Sequence, residues 1–302
     1  MWSAGKSKRL LVTGASGFLG WHLCRQAAAR WSVYGVGRRH SVAAEGTTPI
    51  VGNLTDDVFS ENLFENVHPG AVIHAAAASS PDSCEKHGNA SRQINVIVTE
   101  KLARLCAGRG IPFVFTSTDL VFDGKRPPYS EDAPTTPLSE YGRQKVEAEQ
   151  RTLASCPKAL ICRLPLLIGR SGAPAGNFSI HILEALVAGK PLNLFTDEYR
   201  TPVDGESAAA GILSVLGRAT GIVHLGGRDR ISRYQMGLRL AAMVGCGHDR
   251  IRPVSIQDGT TNTPRAPDVS LISERAYGLG YDPIDLDLAL KQMVDGLGEF
   301  PT

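Results

Sequence analysis

Arg9-Leu10-Leu11-Val12-Thr13-Gly14-Ala15-Ser16-Gly17-Phe18-Leu19-Gly20 decides the fold of this chain. Residues 9–13 form a short apolar run, and Phe18, Leu19, Leu23 and Ala27 follow at helical spacing, so the stretch reads as strand, glycine turn and helix. Glycines at Gly14, Gly17 and Gly20 let backbone approach a pyrophosphate, while the helix N-terminus supplies N–H groups and partial positive charge. Ser16, Phe18 and Leu19 belong to the same candidate phosphate-binding turn.

Outward from that turn, strands are expected at 32–37, 48–51, 71–74, 112–116 and 159–163, with helices at 59–66, 93–107 and 139–154. Alternation of this kind specifies an α/β fold with a doubly wound parallel sheet (Rossmann) covered by helices on both faces. Residues 1–168 form the expected dinucleotide-binding domain. From 169 the pattern loosens around Gly172, Pro174 and Gly176, then resumes as helices near 178–188 and 208–216, with a proline-rich crossing at Pro264 and Pro267. Residues 169–302 are therefore read as a smaller C-terminal α/β substrate lobe, partly interleaved with the first.

Composition narrows the classes. The chain has 302 residues, 42% of them hydrophobic, enough for a full core. A net charge of +2 with mixed signs and only 6% aromatics gives no nucleic-acid surface. No run approaches the roughly 18 apolar residues that span a bilayer, so neither membrane nor export is expected and the location read is cytoplasmic. The six cysteines lack CxxC or close His pairing and read as free thiols, and His181, His224 and His248 have no metal-ligand spacing, so no metal is expected.

The end of the second strand reads Val36-Gly37-Arg38-Arg39 where an NAD enzyme usually places an acid for the ribose 2′-hydroxyl. Two arginines pair instead with a 2′-phosphate, so NADP(H) is the preferred cofactor and NAD(H) the alternative. Asn53 and Leu54 are placed to flank the adenine, and Ala75, Ala76 and Ala77 let a cofactor lie against backbone. Tyr141 and Lys145 stand four apart on a helix, sharing a face, downstream of Ser117-Thr118-Asp119. A phenol titrates at about 10, and a neighbouring ammonium is the usual way to bring it toward neutrality. Alternation along the strand sends Ser117 and Thr118 in opposite directions, and Thr118 is the hydroxyl taken to face the reaction.

These segments, with Ile94-Asn95-Val96, Leu120-Val121-Phe122-Asp123-Gly124, Pro128-Tyr129 and Pro137-Leu138, resemble the extended short-chain dehydrogenase/reductases, and within them the dTDP-4-dehydrorhamnose reductase-like branch. The resemblance implies that Tyr141 donates a proton, that Lys145 binds the nicotinamide ribose and lowers the phenol pKa, and that Thr118 holds the substrate carbonyl. It implies a small-molecule substrate, a nucleotide-linked keto sugar, lined by Ser79, Asp82, Thr118, Asn177 and Arg200. Asp82 and Glu85 are expected on a loop, His74 as a packed imidazole, and Asn95 as structural. Members often dimerise through the two long helices flanking the sheet, here those beginning at Gln93 and Ser139, so a homodimer is the oligomer to test. Leu120 stands where the rhamnose reductases commonly have tyrosine, and Arg163-Leu164-Pro165-Leu166 where they have tryptophan; both changes touch the substrate pocket. The Gly37-Arg38-Arg39 turn and Arg163-Leu164-Pro165 also resemble the methionine adenosyltransferase beta subunit, an NADP-binding regulatory relative. A sugar-nucleotide epimerase is a further alternative, since epimerases use the same Tyr and Lys; dehydratases add an acidic pair where Thr118 is followed by Asp119 alone.

Overall fold

The structure, a computed structural model, describes residues 8–41, 44–173, 176–259 and 263–297. Its first half runs β1 (Arg9–Thr13), α1 (Phe18–Ala27), β2 (Ser32–Gly37), β3 (Thr47–Val51), α2 (Asp57–Val67), β4 (Ala71–His74), α3 (Pro81–Lys86), α4 (Gly88–Arg92), a π-helical turn (Gln93–Ile97), α5 (Val98–Gly108), β5 (Phe113–Thr118), α6 (Glu140–Ser155) and β6 (Leu160–Leu164). The second half continues with β7 (Leu167–Ile168), α7 (Phe178–Val187), β8 (Leu192–Phe195), β9 (Tyr199–Arg200), β10 (Val203–Asp204), α8 (Gly205–Val215), β11 (Gly221–His224), β12 (Ile231–Ser232), α9 (Arg233–Met243), β13 (Ile251–Val254), α10 (Glu274–Gly278) and α11 (Leu286–Asp295).

Seven parallel strands form the central sheet in the order β11-β6-β5-β4-β1-β2-β3. Residues of β4, β5 and β6 are buried throughout, the signature of strands covered on both faces. One face packs Leu23 and Cys24 of α1 with Ala208 and Ile212 of α8; the other packs Phe64 of α2, Leu102 of α5 and Ala148 of α6. The chain therefore returns from its second half to finish the first layer, with α8 beside α1 and β11 beside β6. A third core, including Leu183, Leu186, Met236, Leu240 and Leu290, unites α7, α9 and α11 outside the sheet.

Both sheet edges are occupied by unusual groups. The outermost strand β3 contains Pro49, the residue tolerated in a sheet where its nitrogen faces solvent. At the opposite edge Arg275 of α10 donates to the carbonyls of Thr220 and Ile222. Among the described residues no helix is long and apolar enough to cross a membrane.

Three local expectations change. β5 continues past 116 to Thr118 because Ser117 and Thr118 pair with Arg163 and Leu164 of β6. The helix expected at 93–107 opens with the π-helical turn, which re-aims Asn95: its amide accepts from Ala78 N at 2.8 Å and donates to Gln144 Oε1 at 2.8 Å. Asp82 and Glu85 sit on α3 rather than a loop, because Ser80 accepts from Ser83 N and Pro81 suits the first helical position. Along α4–α6, Arg92, Glu147, Arg151, Glu100 and Arg104 form a chain of ion pairs, on the helices where the homodimer was expected.

Phe64 is 2% exposed within the second core. Phe64→Ala is expected to cost about 3–5 kcal/mol in denaturant unfolding.

Candidate functional site

The strand order reverses between β1 and β4, which opens a crevice at their C-terminal ends. Gly14 fills that corner with φ +70, and a Cβ there would stand 2.6 Å from Ala76 N and 2.7 Å from Ala75 O. Gly20 is held in the same way by the Gly14 carbonyl. Gly17 stands at the N-cap of α1 with no side-chain cap, so the first N–H groups of the helix, those of Phe18 and Leu19 after Ser16, are left without a capping carboxylate or hydroxyl. Gly37 approaches Ser16 closely enough that a Cβ would lie 3.2 Å from its Oγ, which sets the exposed Arg38 and Arg39 beside the glycine turn. This bare cradle and its arginines fit a dinucleotide with a 2′-phosphate.

The neighbouring segments are tied down by buried polar contacts. Thr13 Oγ1 lies 2.6 Å from His74 Nδ1, and His74 Nε2 lies 3.0 Å from Thr99 Oγ1. Burial holds His74 neutral, pushed down to about 3, as a packed imidazole. Ala76 N donates to Thr13 Oγ1 at 3.4 Å and Ala78 is gripped by Asn95, so the run from Ala75 through Ala77 is clamped at both ends. Asn53 Oδ1 accepts from Thr55 N at 3.2 Å, and Leu54 packs into the core beneath.

Ser139 caps α6 by accepting from Gly142 N at 3.1 Å, and Gly142 lets the helix touch the Leu120 carbonyl. Tyr141 and Lys145 thereby enter the protein, 8% and 2% exposed, opposite the end of β5. Thr118 donates to Asp119 Oδ1 at 3.1 Å and shares a hydrogen bond with Tyr141. Ser117 turns away and donates to Glu149. Lys145 Nζ donates to Thr116 O at 2.6 Å and lies 4.1 Å from the Phe115 ring centroid. Burial pushes Lys145 down to about 7, with Glu149 and Cys84 opposing. Burial, then the charges of Asp119 and Cys84, push the Tyr141 phenol up, and the Thr118 hydrogen bond only partly offsets them. The expected lowering of the phenol by Lys145 does not appear: Lys145 is not among the groups that shift the phenol in the protein alone, and its ammonium donates to a backbone carbonyl. A phenol that keeps its proton is a donor rather than a base.

Thr118 and Tyr141 open onto a cavity of about 530 Å³ lined also by Ser79, Asp82, Asn177 and Arg200. Asp82 accepts from Thr263 Oγ1 across its rim. Asn177 caps α7, accepting from Ile180 N at 3.1 Å and donating to Gly169 O at 2.7 Å. Arg200 is 4% exposed and already engaged: Nη1 donates to Tyr199 O and Ala266 O, Nη2 to Glu198 at 3.0 Å, and Nε lies 3.6 Å from Asp119. The arginine expected to line the pocket does so as one member of a buried group. Glu198, 2% exposed, also accepts from Arg233 Nε at 2.8 Å and Arg265 Nη1 at 3.3 Å. Although burial works the other way, the three arginines hold its carboxyl below the usual range. Burial raises Asp119 to about 6 against the pull of Arg200. Glu198, Arg233 and Arg265 escape sequence reading because Arg233 and Arg265 lie 35 and 67 positions from Glu198; the Asp197-Glu198 pair just before Arg200 is the one local signal.

Glycine cradle, parallel sheet and the Thr118, Tyr141, Lys145 group together define an NAD(P)-dependent oxidoreductase of the extended short-chain dehydrogenase/reductase type. More narrowly, residues 8–298 match the family described as RmlD substrate binding domain, and the chain belongs to it. It is 30% identical over 292 residues to the dTDP-4-dehydrorhamnose reductase of Mycobacterium tuberculosis strain H37Rv, covering 93% of this chain and 90% of that protein. It is 28% identical over 284 residues to methionine adenosyltransferase 2 subunit beta of Xenopus laevis, covering 91% and 84%. The crystal structure of a hypothetical dTDP-4-dehydrorhamnose reductase from Sulfolobus tokodaii superimposes with a TM-score of 0.81 at 30% identity, covering 92% of this chain and 98% of that one. The NADP complex of the Bacillus anthracis dTDP-4-dehydrorhamnose reductase shares the fold, with a TM-score of 0.84 at 20% identity and coverage of 96% and 99%.

Gly14→Ala puts a methyl group into Ala75 and Ala76 and a side chain into the left-handed region, a conformational cost of about 1–2 kcal/mol by itself. NADPH affinity, followed by fluorescence titration, is expected to fall at least about tenfold, since 1.4 kcal/mol is one decade; an unchanged affinity would separate this turn from the cofactor.

Proposed function

We propose that the protein reduces a keto group on a nucleotide-linked sugar, with NADP(H) as the preferred cofactor and NAD(H) as the alternative. The observation that carries this reading is that Thr118 and Tyr141 line one cavity, with Lys145 one turn further along α6, in a chain whose Gly14 lies against the backbone of Ala75 and Ala76 to form the cradle. NADPH bound there supplies the hydride. Tyr141 gives its phenolic proton to the carbonyl oxygen as that oxygen gains charge, which yields the alcohol and a phenolate. Thr118 donates a hydrogen bond to the same oxygen, stabilising charge where it develops. Lys145 places a cation beside the ribose and the phenolate formed after transfer. Leu166, Phe178 and Phe195 give the cavity an apolar wall that excludes water, and Ser79 and Asp82 line its rim for sugar hydroxyls.

A second reading keeps the cofactor and discards turnover, leaving a regulatory partner. It is favoured by the likeness to methionine adenosyltransferase 2 subunit beta and by an Arg200 already saturated with internal contacts.

The deciding experiment follows NADPH absorbance with a panel of nucleotide-linked 4-keto sugars. Turnover establishes the reductase; tight NADPH binding without turnover on any sugar transfers the reading to the regulatory partner. Tyr141→Phe is expected to lower kcat by about 10²–10⁴ while NADPH affinity stays within about twofold. Replacing both Arg38 and Arg39 by alanine is expected to weaken NADPH by about tenfold to a hundredfold while NADH changes little, because only the 2′-phosphate loses its charged hydrogen bonds. Equal losses in a parallel titration would remove that contact from the account.

A further inference from the structure

Tyr141, Lys145 and Glu149 recur every fourth residue on α6 and so share one face. Each reaches one of three successive residues of β5. Tyr141 hydrogen-bonds Thr118, Lys145 donates to Thr116 O, and Glu149 Oε1 accepts from Ser117 Oγ at 2.5 Å. Glu149 is also gripped from β6, where Arg163 donates through Nε at 3.0 Å and Nη2 at 2.7 Å. Arg163 continues to His224 Nε2 on β11 at 3.3 Å and lies over the Phe122 ring. The carboxylate and guanidinium are 5% and 3% exposed. A sealed pair of this kind contributes little net stability compared with apolar residues of the same size, although removing one partner is costly. Its geometry points to another use.

We propose that Glu149 is a positioning residue for the Thr118, Tyr141 and Lys145 group: through Ser117 and Arg163 it fixes α6 on β5, and its carboxylate is the anion one helical turn from the buried Lys145 ammonium. This rests on the proposed function only for the roles of the three residues it positions.

The charged and titratable groups around Lys145 are few. Glu149 lies on its own helix, Cys84 comes from α3, and His74 from β4 is neutral. Burial disfavours the ammonium, and Glu149 is the largest influence sustaining it. Without that carboxylate the amine loses its proton at lower pH, and an Arg163 left unpaired acts in the same direction.

The test is the pH dependence of NADPH binding, read by nicotinamide fluorescence between pH 6 and 9, for the parent and Glu149→Gln. Repeating it with NADH removes the titration of the 2′-phosphate. In the parent, affinity is expected to fall as Lys145, pushed down to about 7 by burial, loses its proton. In Glu149→Gln that fall is expected at least about one pH unit lower, leaving NADPH about fivefold weaker at neutral pH and near-parental at the acid end. The double variant Glu149→Gln with Arg163→Met leaves no unpaired buried guanidinium and is expected to show the same displacement, which covers a single variant that fails to fold. Profiles that superimpose on the parent in whichever variant folds would overturn the proposal. The binding measurement needs no sugar, so a failure of the reductase reading and a failure of this one are told apart.

Discussion

Everything at the crevice depends on how near Gly14 lies to Ala75 and Ala76. The left-handed turn at Gly14 leaves no room for a side chain, so β1 and β4 part at a corner of bare backbone. From that corner α1 departs uncapped, Ala75 to Ala77 run on toward Asn95, and Gly37 brings two arginines alongside. A site for phosphates arises here because side chains are missing from it.

The second constraint is desolvation. Tyr141, Lys145 and Asp119 all meet at the C-terminal end of β5, and burial moves each toward its neutral form: the phenol and Asp119 up, the amine down. Glu198 resists only because three guanidiniums surround it. Burial thus keeps the proton on the Tyr141 phenol, as the proposed reduction requires, and the buried charges of Glu198 stand in opposed pairs. Asp119, raised to about 6, acts on Tyr141 through its charge and faces Arg200.

Much of this was legible before the structure. Alternating strands and helices and the glycine turn define the doubly wound sheet, in which strands buried on both faces need continuous apolar runs, as in Ala71–His74. Tyr141 and Lys145 were visible through helical spacing, a local property. What escaped was non-local. β11 closes the sheet from residue 221, after β7 to β10, α7 and α8 have intervened. Glu198 lies one position from Tyr199, yet its meaning depends on Arg233 and Arg265. The π-helical turn was hidden for a different reason: one extra residue in a helix leaves the composition unchanged, and only the re-aimed Asn95 reveals it.

The two ends of the central sheet carry a consequence of their own. A row of unsatisfied N–H and C=O groups on an outer strand is a template on which a strand from another molecule can add. β3 interrupts that row with Pro49, and Arg275 occupies the carbonyls of Thr220 and Ile222 at the β11 side. A sheet of seven strands therefore ends at seven, and neighbouring molecules at high concentration meet ring and guanidinium rather than an invitation to continue the ladder into an aggregate.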